Sequence, residues 1–199
     1  MKWLVFPLLL WSAFVFADPL PPDALIKQTT ERALAELEEK RSALEQEPEK
    51  LYQLVNEILL PHVDFEHTAR LILGRHWRTA DAAQRQRFID EFKTLLLRTY
   101  AAAVFEYDGE KISYKPFRMN DGDTIVTVHA QIQSRDGLPI PFQYALAKSE
   151  SGDWKVFDIA IDGISLVTNY RTSYGRLIRE KGMDVLLDTL ADKNKQLIQ

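Results

Sequence analysis

Thr124-Ile125-Val126-Thr127-Val128-His129-Ala130-Gln131-Ile132-Gln133 alternates apolar and polar residues over ten positions. A period of two places Val126, Val128, Ala130 and Ile132 on one face of a β-strand and Thr127, His129, Gln131 and Gln133 on the other. The pattern recurs on both sides of this stretch. Lys111 to Lys115 alternates around Ile112 and Tyr114; Ile140, Phe142, Tyr144 and Leu146 repeat it; Trp154 to Ile161 forms a fourth strand. Asn120-Asp121-Gly122-Asp123, Asp136-Gly137 and Ser151-Gly152-Asp153 are the turns between them. Four strands joined by short turns predict an antiparallel meander with one face covered and one wetted.

Outside this block the period is helical. Leu25, Thr29, Leu34, Leu37 and Leu44 predict a helix from Asp23 to Gln46, and Pro48 restarts the chain as a second one carrying Leu51, Leu54, Val55, Ile58 and Leu59, stopped by Pro61. Asp64 is placed to cap a third helix that Gly74 closes. A long helix follows from about Ala80 to Tyr107, capped by Thr79 or Asp81. Its first half is amphipathic, whereas Leu95 to Phe105 is apolar almost all round, which predicts burial on every side. Asp108-Gly109 turns the chain into the strands. After Asp162-Gly163, Leu166, Val167, Tyr170, Tyr174, Leu177 and Ile178 fit one helix ending at Gly182, and Met183 to Gln199 another. Helices, then a meander, then helices give an α+β fold: a four-stranded antiparallel sheet covered on one face by six or seven helices around an apolar pocket.

The N-terminus reads as an address. Lys2 precedes the apolar run Trp3 to Phe16, and Val15-Phe16-Ala17 offers a cleavage site before Asp18. This is the order of a secretory signal peptide, and the run is shorter than the roughly 20 residues that span a bilayer. A retained anchor is the alternative, disfavoured by the cleavage site. The domain division is therefore 1–17 signal peptide and 18–199 a single domain. The chain has no cysteine, which excludes lipoprotein attachment, thiol catalysis and Cys-zinc sites. Its net charge of −4 argues against a nucleic-acid partner and against permanent adhesion to anionic membranes, leaving transient membrane contact only.

The strings of the commoner catalytic sites are missing: no nucleophile elbow, no phosphate-cradling loop, no dinucleotide fingerprint and no zinc-binding His-Glu pair motif. His62, His67 and His76 have no metal-ligand spacing along the chain, so a metal site would need the tertiary fold to bring them together with a carboxylate such as Asp64, and His129 falls on the wet face of its strand. Asp158, within an otherwise apolar strand, shares a face with Trp154 and Val156 by simple alternation. It is a candidate general base, or else a structural carboxylate paired with Arg171 or with a helix cap. Arg70, Arg75, Arg78 and Arg171 read equally well as solvated charges or as contacts to a headgroup or partner.

Leu73-Gly74-Arg75-His76-Trp77-Arg78, Gln84-Arg85 and Phe88-x-x-Glu91-Phe92-x-x-Leu95-Leu96-x-x-Thr99-Tyr100 resemble the MlaC family of periplasmic phospholipid-binding proteins, also called toluene-tolerance or Ttg2D-type proteins. Trp154 to Asp158, Asp162-Gly163-Ile164-Ser165-Leu166-Val167, Asn169-Tyr170-Arg171 and Gly182-Met183-Asp184 agree, so the resemblance runs from about Leu25 to Leu190. Phe157 stands where the family often has Tyr, and Asp162 where it often has Glu. The resemblance implies a monomeric carrier, not an enzyme, whose cargo is phospholipid and which needs no cofactor and no metal. It implies exchange of lipid between an outer-membrane lipoprotein complex and the MCE-domain subunit of an inner-membrane ABC transporter, maintaining outer-membrane lipid asymmetry. Two other functions remain open on the residues alone: a small-pocket enzyme using Asp158, and a lipid-free envelope adaptor.

Family binding mode and apolar face together predict the pocket wall. The helical side is Val63, Phe65, Leu71, Trp77, Phe92, Leu95, Leu96, Tyr100, Val104, Val167, Tyr170 and Tyr174. The sheet side is Val126, Val128, Phe142, Tyr144, Leu146, Val156 and Ile161, with Ile164 just beyond the last turn. Arginine at Val128 or Leu96 is expected to expel lipid from a protein that still folds.

Overall fold

Proline opens the first two helices, α1 (Pro22–Gln46) and α2 (Pro48–Ile58), where its missing N–H has no intrahelical partner to lose. The computed structural model describes residues 19–107, 109–133 and 137–197, with the side chains of Pro48 and of residues 101–106 outside that description. The expected signal peptide, Asp108, Asp136 and the side chain of Val104 therefore lie outside the described residues.

The chain leaves α2 at Ile58, and Pro61 sits in the 3₁₀ turn Leu60–His62 that follows. Helix α3 (Phe65–Leu73) is capped by Asp64, whose Oδ1 accepts from the His67 N–H at 2.8 Å, and is closed by Gly74 at φ +54°. A single turn, α4 (His76–Thr79), is too short for any period to reveal. In front of α5 (Ala82–Glu106), Asp81 and Gln84 form a reciprocal cap: the Asp81 carboxylate accepts from Gln84 N–H at 2.8 Å and the Gln84 carbonyl from Asp81 N–H at 3.2 Å.

The strands β1 (Ile112–Tyr114), β2 (Ile125–Ile132), β3 (Ile140–Lys148), β4 (Trp154–Ile161) and β5 (Ile164–Ser165) form one antiparallel sheet in sequence order. Five strands replace the expected four. The extra one is two residues long and pairs with β4 across Asp162 (φ +50°) and Gly163 (φ +77°), the two positive φ angles of a tight hairpin. Two residues carry no readable alternation. Two helices close the chain, α6 (Leu166–Lys181) and α7 (Met183–Gln196).

A β-bulge decides which side chains of β4 face inward. Leu146 pairs with Val156 and Ala145 with Asp158, leaving Phe157 as the extra residue. Trp154 and Val156 point to the helical side before the bulge; Ile159, opposite Tyr144, and Ile161, opposite Phe142, do so after it. Asp158 therefore does not share a face with Trp154 and Val156, contrary to simple alternation.

The apolar interior is divided. One cluster joins α3, α4, α5, α6 and α7 around Phe88, Phe92 and Leu95. A second covers the sheet with Leu25 and Ile26 over Val126, Val128, Leu146, Trp154 and Val156. A third lies between α1 and α2, around Leu37, Leu44 and Leu51. On β2, Val126, Val128 and Ala130 are buried while Thr127 and His129 are exposed, so one sheet face is covered and the other wet.

Candidate ligand-binding cavity

Among the three clusters lies a cavity of about 470 Å³. Helix α1 contributes Leu25, Ile26, Thr29, Thr30, Ala33, Leu34 and Leu37, one helical stripe in which two threonines and an alanine keep the wall thin. Helix α2 adds Leu51, Tyr52, Leu54 and Val55; the connection to α3 adds Leu59, Leu60, His62 and Val63; α3 adds Phe65 and Thr68. Phe92, Lys93, Leu96, Leu97 and Tyr100 form the matching stripe of α5, and Leu166 opens α6 into the same space. Phe142, Tyr144, Val156, Phe157, Asp158, Ile159 and Ile161 line the sheet side. The expectation that α5 is buried all round from Leu95 fails here. Leu95 is fully buried, but Leu96, Leu97 and Tyr100 are only half-buried because they border the cavity, and Thr99 is exposed.

The wall is nearly without charge. Burial pushes the Tyr144 phenol up to about 12 and raises that of Tyr100. Burial first, then the nearby Lys155 and Arg32, holds His62 below its ordinary value and favours the neutral ring. Asp158 is tied to the start of α6: one carboxylate oxygen accepts from Ser165 Oγ at 2.5 Å and the other from the Val167 N–H at 3.0 Å. Its partner is thus the helix cap, not Arg171, and both oxygens are engaged. Among the described residues no group of three or more His, Cys, Asp or Glu is placed to hold a metal ion.

Of the expected wall residues, Val63, Phe65, Phe92, Leu96, Tyr100, Phe142, Tyr144, Val156 and Ile161 border the cavity. Val126, Val128 and Leu146 do not, because the first turns of α1 lie directly on that half of the sheet and seal it. Leu71, Trp77, Leu95, Val167, Tyr170 and Tyr174 belong to the helical core instead. Phe92 meets Tyr170 edge-on at 5.0 Å, and the Arg70 and Arg85 guanidinium groups cover the Trp77 ring. Ile164 is 63% exposed on the short β5. Sequence reasoning missed the contributions of α1 and α2 altogether. Their apolar stripes were visible, but a stripe does not tell whether it faces a neighbour or a space. Arg70, Arg75, Arg78 and Arg171 surround a shallow depression at Gly74 and Trp77, with Arg70 ion-paired to Glu66 at 2.6 Å.

A family profile described as MlaC protein matches residues 27–192. The chain is 24% identical to the intermembrane phospholipid transport system binding protein MlaC of Haemophilus influenzae, over 99% of this chain and 95% of that protein. It is 28% identical to the toluene tolerance protein ttg2D of Pseudomonas putida, over 82% and 76% of the two chains. Its fold superposes with a TM-score of 0.83 on a phospholipid-binding protein of Ralstonia solanacearum in complex with a phospholipid, at 33% identity over 92% of this chain and all of that one.

Proposed function

This chain belongs to the MlaC family, and from that premise we propose that it is a periplasmic phospholipid carrier that takes acyl chains into the cavity between α1, α2, α5 and the sheet. The observation that carries the reading is the cavity itself: an apolar space of about 470 Å³ whose wall holds one lysine and one already engaged carboxylate. Each acyl methylene exposed to water costs about 0.8 kcal/mol, so two chains of ordinary length cost on the order of 20 kcal/mol. A hydrocarbon-like wall removes that cost, and exchange between bilayer and carrier becomes nearly balanced.

The carrier performs no covalent chemistry, and its cargo is its only ligand. Residues 1–17 deliver it to the periplasm as a cleaved signal peptide. There it receives lipid from, or gives it to, an outer-membrane lipoprotein complex and the MCE-domain subunit of an inner-membrane ABC transporter, and so maintains outer-membrane lipid asymmetry. Direction comes from those partners, since balanced exchange has none of its own.

Organic extraction of the purified protein followed by mass spectrometry tests this reading. Near-stoichiometric phospholipid is expected. A lipid-free extract that stays so after incubation with phospholipid vesicles would overturn it.

A further inference from the structure

Lys93 is half-buried on the cavity-lining face of α5, one residue beyond Phe92 and one turn before Leu96 and Leu97. Among the described residues no carboxylate is ion-paired with it and no hydrogen bond fixes it. The wall's one carboxylate, Asp158, has both oxygens occupied by Ser165 and Val167. Lys155, the cation near His62, donates to the Pro61 carbonyl at 2.5 Å. Among the described residues, Lys93 is thus the one lysine bordering the cavity, and it has no counter-ion of the protein's own. A cation on an apolar wall loses solvation unless it reaches water or an anion.

We infer that Lys93 is the anion subsite of the cavity and holds the phosphodiester of the bound lipid. This rests on the phospholipid-carrier reading and assigns what that reading leaves open, the contact that distinguishes a phospholipid from a neutral lipid with the same chains. The phosphate sits where chains and headgroup join, and a half-buried lysine bordering the cavity has a stem long enough to bring its ammonium toward that junction while the chains are inside. Lysine is well suited to such a contact, being a point charge on a flexible stem that does not demand the bidentate geometry an arginine fork imposes. It reads the one group common to all phospholipids and leaves the headgroup beyond it unread.

Competition between two lipids tests the assignment. Purified protein, wild type and the variants Lys93→Met and Lys93→Arg, is incubated with mixed detergent micelles holding equimolar dioleoyl phosphatidylglycerol and dioleoylglycerol, and the bound lipids are quantified by mass spectrometry. Methionine keeps the apolar stem and loses the charge; arginine keeps the charge. Wild type and Lys93→Arg are expected to favour the phospholipid, and Lys93→Met to lose about tenfold of that preference, the size of one hydrogen bond to a charged group. Thermal melts within a few degrees of wild type confirm that the variants are folded. An unchanged ratio in Lys93→Met, or a wild type that takes both lipids equally, would overturn the assignment while leaving the carrier. A wild type that takes neither would overturn the carrier reading itself.

Discussion

Leu95 and Leu96 are neighbours on α5 with opposite surroundings, and the contrast separates a packed core from a cavity wall. Leu95 is 0% exposed inside the helical cluster with Phe88, Phe92 and Leu186. Leu95→Ala leaves a hole there and costs about 2–5 kcal/mol. In a domain of this size each kcal/mol lowers the melting temperature by about 2–4 °C, so a loss of about 10 °C is expected. Leu96 borders the cavity and is half-buried, packing only against the edge of the helical cluster, so Leu96→Arg can extend into existing space at a small cost to that core. The arginine displaces two or three acyl methylenes, about 2 kcal/mol or roughly thirtyfold in affinity. Its guanidinium finds no free carboxylate in the wall, which weakens binding further. The assay pairs a thermal melt with phospholipid extracted per mole of protein. Leu96→Arg is expected to melt within a few degrees of wild type and to carry little lipid; Leu95→Ala melts early and, where still folded, carries it. Wild-type lipid content in a folded Leu96→Arg protein would refute the placement of the cavity. Arginine at Val128 does not serve the same purpose. Val128 is 1% exposed in the sealed half of the sheet, so that change is expected to unfold the protein.

Asp158→Asn weakens the cap on α6 by about 1–2 kcal/mol, seen as a lower melting temperature, with lipid content unchanged; lost lipid binding at wild-type stability would speak for a role in the cavity. Gly74→Ala places a side chain at φ +54° with a Cβ 3.4 Å from the Arg171 guanidinium, and is expected to cost about 1–2 kcal/mol in a denaturant melt. His62 is held below its ordinary value of 6.5 chiefly by burial, so the unfolded chain takes up its proton at higher pH than the folded one. That difference costs stability as pH falls from 7 through 6.5 and onward to the lowered folded value, and has no effect above; melts at about pH 7.5 and 5.5 should show a smaller drop in His62→Gln than in wild type. Intact-mass measurement of the exported protein is expected to place its N-terminus at Asp18; a mass retaining residues 1–17 would refute cleavage there.

The elements were legible because each carries its own signal. Asp64 and Gly74 bracket α3, the alternation of residues 124–133 defines β2, and Gly182 divides the last two helices. These are local preferences of cap, period and turn, and the chain honours them wherever no distant contact competes. The family, too, was readable in ordered strings of residues. The tertiary structure alone decided which apolar faces close on each other and which leave a space. Val128 and Tyr144 are directly paired and share a sheet face, yet the first turns of α1 cover one and the cavity lies beside the other. The bulge at Phe157 reversed the parity of β4, so Ile159 turned inward and Asp158 came to brace the Ser165 cap of a helix whose Val167 lies nine residues on. Apolar character follows from side-chain chemistry and is written residue by residue. A cavity is the absence of a neighbour, and that depends on every element packed around it.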